Sequence, residues 1–82
     1  MRALSELACG ESGNVVRIEC GRRAGVRLME LGLLPGVQIE VVRKAPLQDP
    51  IELRLRGYAL SIRLSEAQAI WISDESRDGA DP

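Results

Sequence analysis

The chain has 82 residues, which is enough for one compact domain but too few for a second hydrophobic core. Apolar residues make up 45% and charged residues 28%, a balance that excludes a disordered chain or a membrane-embedded one. The net charge is −1, and since residues 74–82 carry four acids and one arginine, residues 1–73 carry only +2. So weak a positive charge argues against nucleic acid as a partner.

The sequence offers no candidate for membrane insertion or secretion. It contains no run of about 18 apolar residues of the kind that spans a bilayer. Near the N-terminus, Ser5 and Glu6 interrupt the apolar residues that a secretory signal would need. We therefore expect a cytoplasmic protein without a direct membrane span.

The first predicted elements are a short N-terminal helical turn and a strand over residues 14–20. In that strand, Val16, Ile18 and Cys20 share one face, which predicts half burial. Helical spacing follows from Arg22 and predicts one short helix. Gly32 suits the left-handed position after its last turn, where Leu33 would contact Leu28 in a Schellman motif.

The next pattern predicts a turn and a second strand. Pro35-Gly36 has the residues that the two central positions of a type II turn require. The strand that follows, residues 37–44, alternates until Val42 interrupts the pattern. The side chains predicted to face inward are Val37, Ile39 and Val41.

A β-hairpin is predicted after the proline-containing loop of residues 45–50. The apolar positions change parity across Arg56-Gly57, as a two-residue hairpin loop requires. The register predicted from this parity pairs Leu55 with Tyr58, Leu53 with Leu60, and Ile51 with Ile62.

The last predicted elements are one helical turn and a final strand. Ser65 and Gln68 match the N-cap and N3 positions of a capping box. Ile70, Trp71 and Ile72 alternate again, which predicts a strand. Together the pattern predicts a mainly β fold for residues 1–73: a small five-stranded barrel, closed or partly open, with one inserted helix. Residues 74–82 are predicted to form an acidic, mobile tail.

Cys9 and Cys20 are the only cysteines, and we expect them to be reduced thiols. The chain contains no histidine, so a four-ligand zinc site would need carboxylates or a second subunit. Cys9, Cys20 and Glu19 are accordingly only weak candidates for holding zinc or iron between two copies in a homodimer. No cofactor is otherwise expected.

Three groups of residues are candidates for contact with a protein partner. Leu33, Leu34 and Pro35 form the first, unless both leucines close the barrel. The second is a set of strand cations that would either form a docking patch or an ordinary solvated face; its members are Arg43, Lys44, Arg54, Arg56 and Arg63. Trp71 is the third, with the alternative that its indole lies over an arginine side chain.

An enzymatic function is not expected. Nucleophile and base arrangements commonly need histidine, a perturbed carboxylate pair or an activated cysteine, and the chain has no histidine at all. A phosphate-binding GxxxxGK[ST] motif is also missing from the sequence. Tyr58 and Trp71 are the only aromatic residues, too few for a proline-peptide groove.

Several ordered segments resemble the FeoA family. They are residues 27–36 (RLMELGLLPG), 37–46 (VQIEVVRKAP), 49–52 (DPIE), 56–63 (RGYALSIR) and 66–70 (EAQAI). This resemblance covers roughly residues 2–73 and implies an SH3-like barrel in the cytoplasm. It also implies a non-enzymatic accessory role with FeoB, the GTP-hydrolysing ferrous iron transporter, through the cytosolic portion of FeoB.

The resemblance also allows an alternative function. The FeoA family also resembles the C-terminal SH3-like domain of metal-dependent repressors of the DtxR type. That similarity allows a small divalent-metal-responsive dimerising module as the alternative. The N-terminal recognition helix of such repressors is missing from this sequence, which favours the stand-alone accessory protein.

Overall fold

The computed structural model describes residues 1–73, so the predicted acidic tail lies outside the described residues. The described part forms one antiparallel sheet with two short α-helices, and the strand order is β1-β6-β2-β3-β4-β5. The elements are β1 (Arg2–Ala3), β2 (Ser12–Ile18), α1 (Arg22–Glu30), β3 (Gln38–Lys44), β4 (Ile51–Leu55), β5 (Tyr58–Ile62), α2 (Leu64–Ala67) and β6 (Ile70–Ser73). The prediction of a mainly β fold is confirmed.

The strand count predicted from the sequence is one too low for the described residues. The additional strand, β1, has only two residues, and it pairs with β6 through Ala3 and Trp71. Two residues cannot show an alternating pattern, so periodicity had no means of finding this strand. The predicted N-terminal helical turn is present at Leu4–Glu6.

The face predicted for β2 is right for Ile18, which is partly buried against the core, and wrong for the strand as a whole. The pairing of β2 with β6 shifts register between Val15 and Arg17, which marks a β-bulge at Val16. Val15 is buried before the bulge, whereas Cys20 lies beyond the end of the strand and is exposed. One extra residue in the strand changes which side chains face the core, so strict alternation from residue 14 to residue 20 fails.

A second bulge explains the irregular residue in β3. The pairing of β3 with β4 shifts register between Val41 and Arg43, and the extra residue is Val42. The hairpin of β4 and β5 has the register predicted from the sequence, with Leu55 opposite Tyr58 and Ile51 opposite Ile62. Because β5 is the edge strand, one member of its predicted apolar set, Tyr58, is exposed.

The C-terminus of α1 has both hydrogen bonds of a Schellman motif. The Leu33 N–H donates to the Leu28 carbonyl at 3.1 Å, and the Gly32 N–H donates to the Met29 carbonyl at 3.0 Å. Gly32 has φ +109°, a conformation that glycine adopts without steric cost. The predicted contact is confirmed, since Leu28 and Leu33 are both fully buried members of one core cluster.

The cap predicted for α2 is wrong by two residues. The helix begins at Leu64, and the Arg63 N–H donates to Glu66 Oε1 at 2.8 Å. The Leu64 N–H donates to Asp49 Oδ1 at 3.0 Å, so a carboxylate from a distant loop satisfies the first turn. The predicted cap, Ser65, lies inside the helix. Within residues 1–73, neither helix has the length and apolar character that crossing a bilayer requires.

Aliphatic side chains from every strand and both helices form the core. The buried residues outside the strands and α-helices are Leu4, Leu7, Leu33 and Val37. Among the described residues, none of the buried side chains is polar or charged. Burying each large aliphatic side chain stabilises the fold by about 1.5–3 kcal/mol.

Candidate docking surface

The turn after α1 buries one of its two adjacent leucines and exposes the other. Leu33 is 0% exposed because the Schellman motif directs it into the core, whereas Leu34 is 41% exposed. The prediction of Leu33 as a contact residue is therefore corrected: its side chain is not on the surface. Leu34 and Pro35 are accessible.

Backbone hydrogen bonds fix the position of this exposed leucine. The Val37 N–H donates to the Leu34 carbonyl at 3.0 Å, which closes the predicted Pro35-Gly36 turn. The Gly36 N–H donates to the Val15 carbonyl at 2.7 Å and ties the turn to β2. Gly36 has φ +92°, as the third position of a type II turn requires. A side chain presented from such a turn loses little backbone freedom when it binds a partner.

Two further exposed apolar side chains lie at the same end of α1. Met29 is in the last turn of the helix, and the Tyr58 hydroxyl donates to the Leu31 carbonyl. We call Met29, Leu34 and Tyr58 the α1-end patch; they are 41%, 41% and 44% exposed. Sequence reasoning missed Met29, and it placed Tyr58 on the inward face because parity does not reveal which strand is at the edge.

The predicted basic patch is neutralised by its cross-strand neighbours. Arg43 lies opposite Glu52, and their nearest charged atoms are 2.7 Å apart. The hydrogen bond and the negative charge of Glu52 raise the pKa of Arg43 above its usual value. Arg54 lies opposite Glu40, with 3.6 Å between charged atoms. Opposite charges therefore face each other across β3 and β4, instead of the cationic cluster expected from the sequence.

The remaining predicted cations are dispersed. The Lys44 ammonium donates to the Ser5 carbonyl at 3.2 Å and is half-buried. Arg56 is exposed at the hairpin turn, and Arg63 is exposed before α2. The docking role of these residues stays a prediction, and the structure does not bring them together into one patch.

Trp71 is half-buried and engaged by neighbouring side chains. Its indole N–H donates to Glu19 Oε1 at 3.1 Å, and the Arg17 guanidinium carbon lies 5.9 Å from the ring centroid. Arg17 also forms an ion pair with Glu19. The hydrogen bond from Arg17 is the main cause that lowers the pKa of the Glu19 carboxyl. This geometry favours the alternative in which the indole lies beside an arginine.

The candidate metal ligands do not form a site within the described chain. Cys9 and Cys20 are exposed free thiols, and Glu19 is occupied by Arg17 and Trp71. Over residues 1–73, histidine, cysteine and carboxylate side chains nowhere form a group of three that could hold a metal ion. A zinc or iron site shared between two copies stays a prediction.

Comparison with known proteins identifies a family and a curated relative. Residues 2–74 match the family model described as the FeoA domain. Over 67 residues the chain is 39% identical to the Fe(2+) transport protein A/Fe(2+) transporter FeoB fusion protein of Porphyromonas gingivalis. That match covers 82% of this chain but only 8% of the fusion protein.

Solved structures share the fold. The FeoA protein of Chlorobium tepidum superposes with a TM-score of 0.82 at 39% identity, over 90% of this chain and 70% of that one. The zinc-complexed FeoA of Stenotrophomonas maltophilia, described as a procaryotic SH3 domain protein, superposes with a TM-score of 0.76 at 26% identity, over 89% and 91%. The predicted SH3-like fold is thereby confirmed.

A manganese-dependent transcriptional repressor also superposes, with a TM-score of 0.81 over 89% of this chain and 41% of the repressor. The identity is 20%, so this likeness concerns the fold alone. The match to the family model extends over nearly all of the described residues, in agreement with the identity to the Chlorobium protein. The chain belongs to the FeoA family.

Proposed function

We propose that the chain is a non-enzymatic accessory protein of ferrous iron uptake, which binds the cytosolic portion of a FeoB-type transporter. The observation that carries the proposal is the Porphyromonas fusion protein, in which a FeoA segment and a FeoB transporter belong to one polypeptide. Fusion keeps two domains at high effective concentration, which is useful when the domains contact each other. The same contact between separate chains would need an exposed, preorganised surface.

The α1-end patch is the surface that fits this role best. Leu34 is presented from a hydrogen-bonded turn, and Tyr58 is anchored through its hydroxyl to the Leu31 carbonyl. Rigid apolar and aromatic side chains of this kind dominate the affinity of protein interfaces. Charged pairs such as Arg43–Glu52 already neutralise each other and add little affinity.

In the proposed role, GTP hydrolysis is a reaction of the transporter and not of this chain. The sequence has no histidine and no phosphate-binding glycine-rich motif, so GTP hydrolysis is assigned to the partner. An accessory protein changes a GTPase cycle only if it binds one conformational state of the partner better than another. We therefore expect the affinity for the cytoplasmic domain of the transporter to differ between its GTP-analogue and GDP states.

The test is calorimetric titration of the purified chain into the cytosolic portion of the transporter, with each nucleotide in turn. We expect Leu34→Glu to weaken binding at least tenfold, because a carboxylate would be desolvated at the centre of the contact. The matched control is Leu47→Asn, which also removes an exposed leucine but at a different turn. It should bind the transporter as the wild type does.

Two results would reject the proposal. One is the lack of binding in every nucleotide state, and the other is turnover of a small substrate by the isolated chain. Equal weakening by Leu34→Glu and Leu47→Asn would instead reject the α1-end patch as the contact surface while leaving the partner in place.

A further inference from the structure

The loop between β3 and β4 presents a leucine almost entirely to solvent. Leu47 is 92% exposed, more than any other large apolar side chain within residues 1–73. It lies in the short turn Pro46–Gln48, far in sequence from the α1-end patch. Exposing a whole leucine side chain leaves its apolar surface in contact with water, which is unfavourable.

The backbone holds this leucine in an unfavourable conformation. Leu47 has φ +66° and Gln48 has φ +64°, in the left-handed region that is unfavourable for residues other than glycine. The loop is nevertheless fixed at its base, since the Ala45 N–H donates to the Pro50 carbonyl at 3.0 Å and the Gln48 N–H to the Ala45 carbonyl at 2.7 Å. Strain of this kind persists where the surrounding structure imposes it, and it marks candidate functional segments.

A cleft of about 290 Å³ lies against the same loop, and Pro46, the residue before Leu47, is part of its lining. One wall is made by Ala45, Pro46 and Pro50 of the same loop. The other wall is the outer face of the sheet, where Arg43, Glu52 and Ser61 lie next to one another on three adjacent strands. The cleft has an apolar side and a rim with one charge of each sign, and it is wide enough to take an aliphatic side chain.

We infer that this loop is a self-association surface, in which Leu47 of one chain inserts into the cleft of a second copy. A twofold contact requires that the protruding group and its receptor belong to the same surface patch, and here the loop of residues 45–50 carries Leu47 and also supplies one wall of the cleft. Arg43 and Glu52 are already paired within each chain and so add little affinity, but a twofold arrangement that sets Arg43 of one chain against Glu52 of the other keeps like charges apart at the rim. A twofold contact uses both the leucine and the cleft, whereas contact with a different protein would use only one of them.

The contact is small, which sets the expected strength of the dimer. One loop and three strand residues per chain bury less than the roughly 1,200 Å² at which specific, stable interfaces begin. We therefore expect a weak, reversible dimer with a Kd of about 10 µM to 1 mM. It forms without metal and without the thiols, which distinguishes it from the metal-linked homodimer predicted from the sequence.

Sedimentation equilibrium of the purified chain from about 10 µM to about 1 mM, in EDTA and a reducing agent, tests the inference. Wild-type chain should shift from monomer to dimer over this range, and Leu47→Asn should stay monomeric. Asparagine tolerates the left-handed conformation, so the variant keeps the loop while losing the apolar group. The matched control is Leu34→Asn, which should dimerise as the wild type does.

A second measurement locates the contact. In a mixture of isotope-labelled and unlabelled chains, intermolecular NOEs should connect the Leu47 methyl groups with protons of Pro50 and Ser61. A monomer at every concentration overturns the inference, as does a Leu47→Asn chain that still dimerises. Loss of transporter binding by Leu47→Asn with a monomeric wild type would also overturn it, and would assign the loop to a different protein. Because sedimentation equilibrium and the intermolecular NOEs use the chain alone, their results are independent of the proposed transporter contact.

Discussion

Two turns of this protein each present a leucine, and they do so by opposite means. The turn after α1 exposes Leu34, and its positive φ angles are at Gly32 and Gly36, where they are tolerated without strain. The loop after β3 exposes Leu47 more fully, and its positive φ angles are at Leu47 and Gln48 themselves. The first turn has an unstrained backbone and one exposed side chain. In the second turn, an exposed apolar side chain and a positive φ angle occur at the same residue, Leu47.

The difference shows which exposed residue needs an explanation beyond the fold. Leu34 is a consequence of chain reversal after a helix, since Leu33 must enter the core and its neighbour then points outward. Leu47 has no such justification, because a glycine or asparagine would satisfy the same loop at lower energy. Local and global preferences conflict at this residue, and such conflicts concentrate at functional sites.

The largest effect is expected from the glycine turn. We predict that Gly32→Ala lowers the free energy of unfolding by about 2–3 kcal/mol, measured by urea denaturation. The substitution combines a positive φ with a Cβ that would lie 2.4 Å from the Tyr58 hydroxyl oxygen. Gly36→Ala is the control for the conformation alone, because its φ is similar but no atom lies within 4 Å of the added Cβ; we expect about 1 kcal/mol.

Removing the Tyr58 hydroxyl sharpens this prediction. In the Gly32→Ala background, Tyr58→Phe should restore part of the lost stability, because it removes the oxygen atom that clashes with the new Cβ. The remaining neighbours of that Cβ are the flexible end of Leu55 and a ring carbon of residue 58 at 3.6 Å, an ordinary contact distance. In the wild-type background the same change removes a hydrogen bond to the Leu31 carbonyl and should destabilise slightly. Additive effects in the double variant would contradict the proposed clash.

A smaller effect is expected where the β3–β4 loop is tied to α2. Asp49 Oδ1 accepts the Leu64 N–H at 3.0 Å, and this bond satisfies the first turn of the helix. We predict that Asp49→Ala lowers the free energy of unfolding by about 1 kcal/mol, the usual effect of losing a helix cap. Asp49→Asn keeps an acceptor oxygen and should cost less; an equal loss in both variants would argue against the hydrogen bond as the cause.

The two leucines themselves should respond with opposite signs. Leu47→Asn is expected to raise the free energy of unfolding by about 0.5–1 kcal/mol, because asparagine relieves the left-handed strain and little burial is lost. Leu34→Asn should lower it by a similar amount, because more than half of that side chain is covered. Both are measured at low micromolar concentration, where the chain is monomeric. Destabilisation by both variants would show that the strain at Leu47 is negligible.

The sequence predicted the first turn but not the second, for a physical reason. Gly32, Pro35 and Gly36 carry their conformational preferences in their residue types, so a Schellman motif and a type II turn follow from chemistry alone. Nothing in the residue type of Leu47 indicates a positive φ, since leucine avoids that region. The residues between the two prolines were accordingly predicted only as a connecting loop.

Other differences have the same origin in tertiary context. The hairpin register followed from parity, but the bulge at Val16 changed the inward face of β2 because it depends on pairing with β6. Glu52 and Glu40 neutralise two of the predicted cations, Arg43 and Arg54, and finding this required the β3–β4 pairing to be known. The cap of α2 came from Asp49, fifteen residues away in sequence, so a local capping pattern could not find it.

The smallest effect concerns the ion pair that joins α1 to α2. Arg27 of α1 and Glu66 of α2 form this pair. The β3–β4 loop contacts the same short helix separately, through the hydrogen bond from the Leu64 N–H to Asp49. Burial raises the pKa of Glu66, but the hydrogen bond from the Arg63 N–H and the bond and charge of Arg27 outweigh it, so the pKa lies below its usual value. A carboxyl whose pKa is lowered on folding stabilises the protein above its unfolded pKa of about 4.3, and this contribution disappears as pH falls through the lower folded value.

We therefore expect a double-mutant cycle of Arg27→Gln and Glu66→Gln to give a coupling of about 0.5 kcal/mol at pH 7, small because half of the Arg27 side chain is exposed. The coupling should be unchanged while the pH stays above the unfolded pKa, and it should vanish as the pH falls below the lower folded pKa. Asp49→Ala should leave it intact, because the hydrogen bond from Leu64 and the ion pair reach α2 from separate elements. A coupling that persists in acid would show that the pair acts through packing and not through charge, and that α2 is held by its buried Ala67 instead.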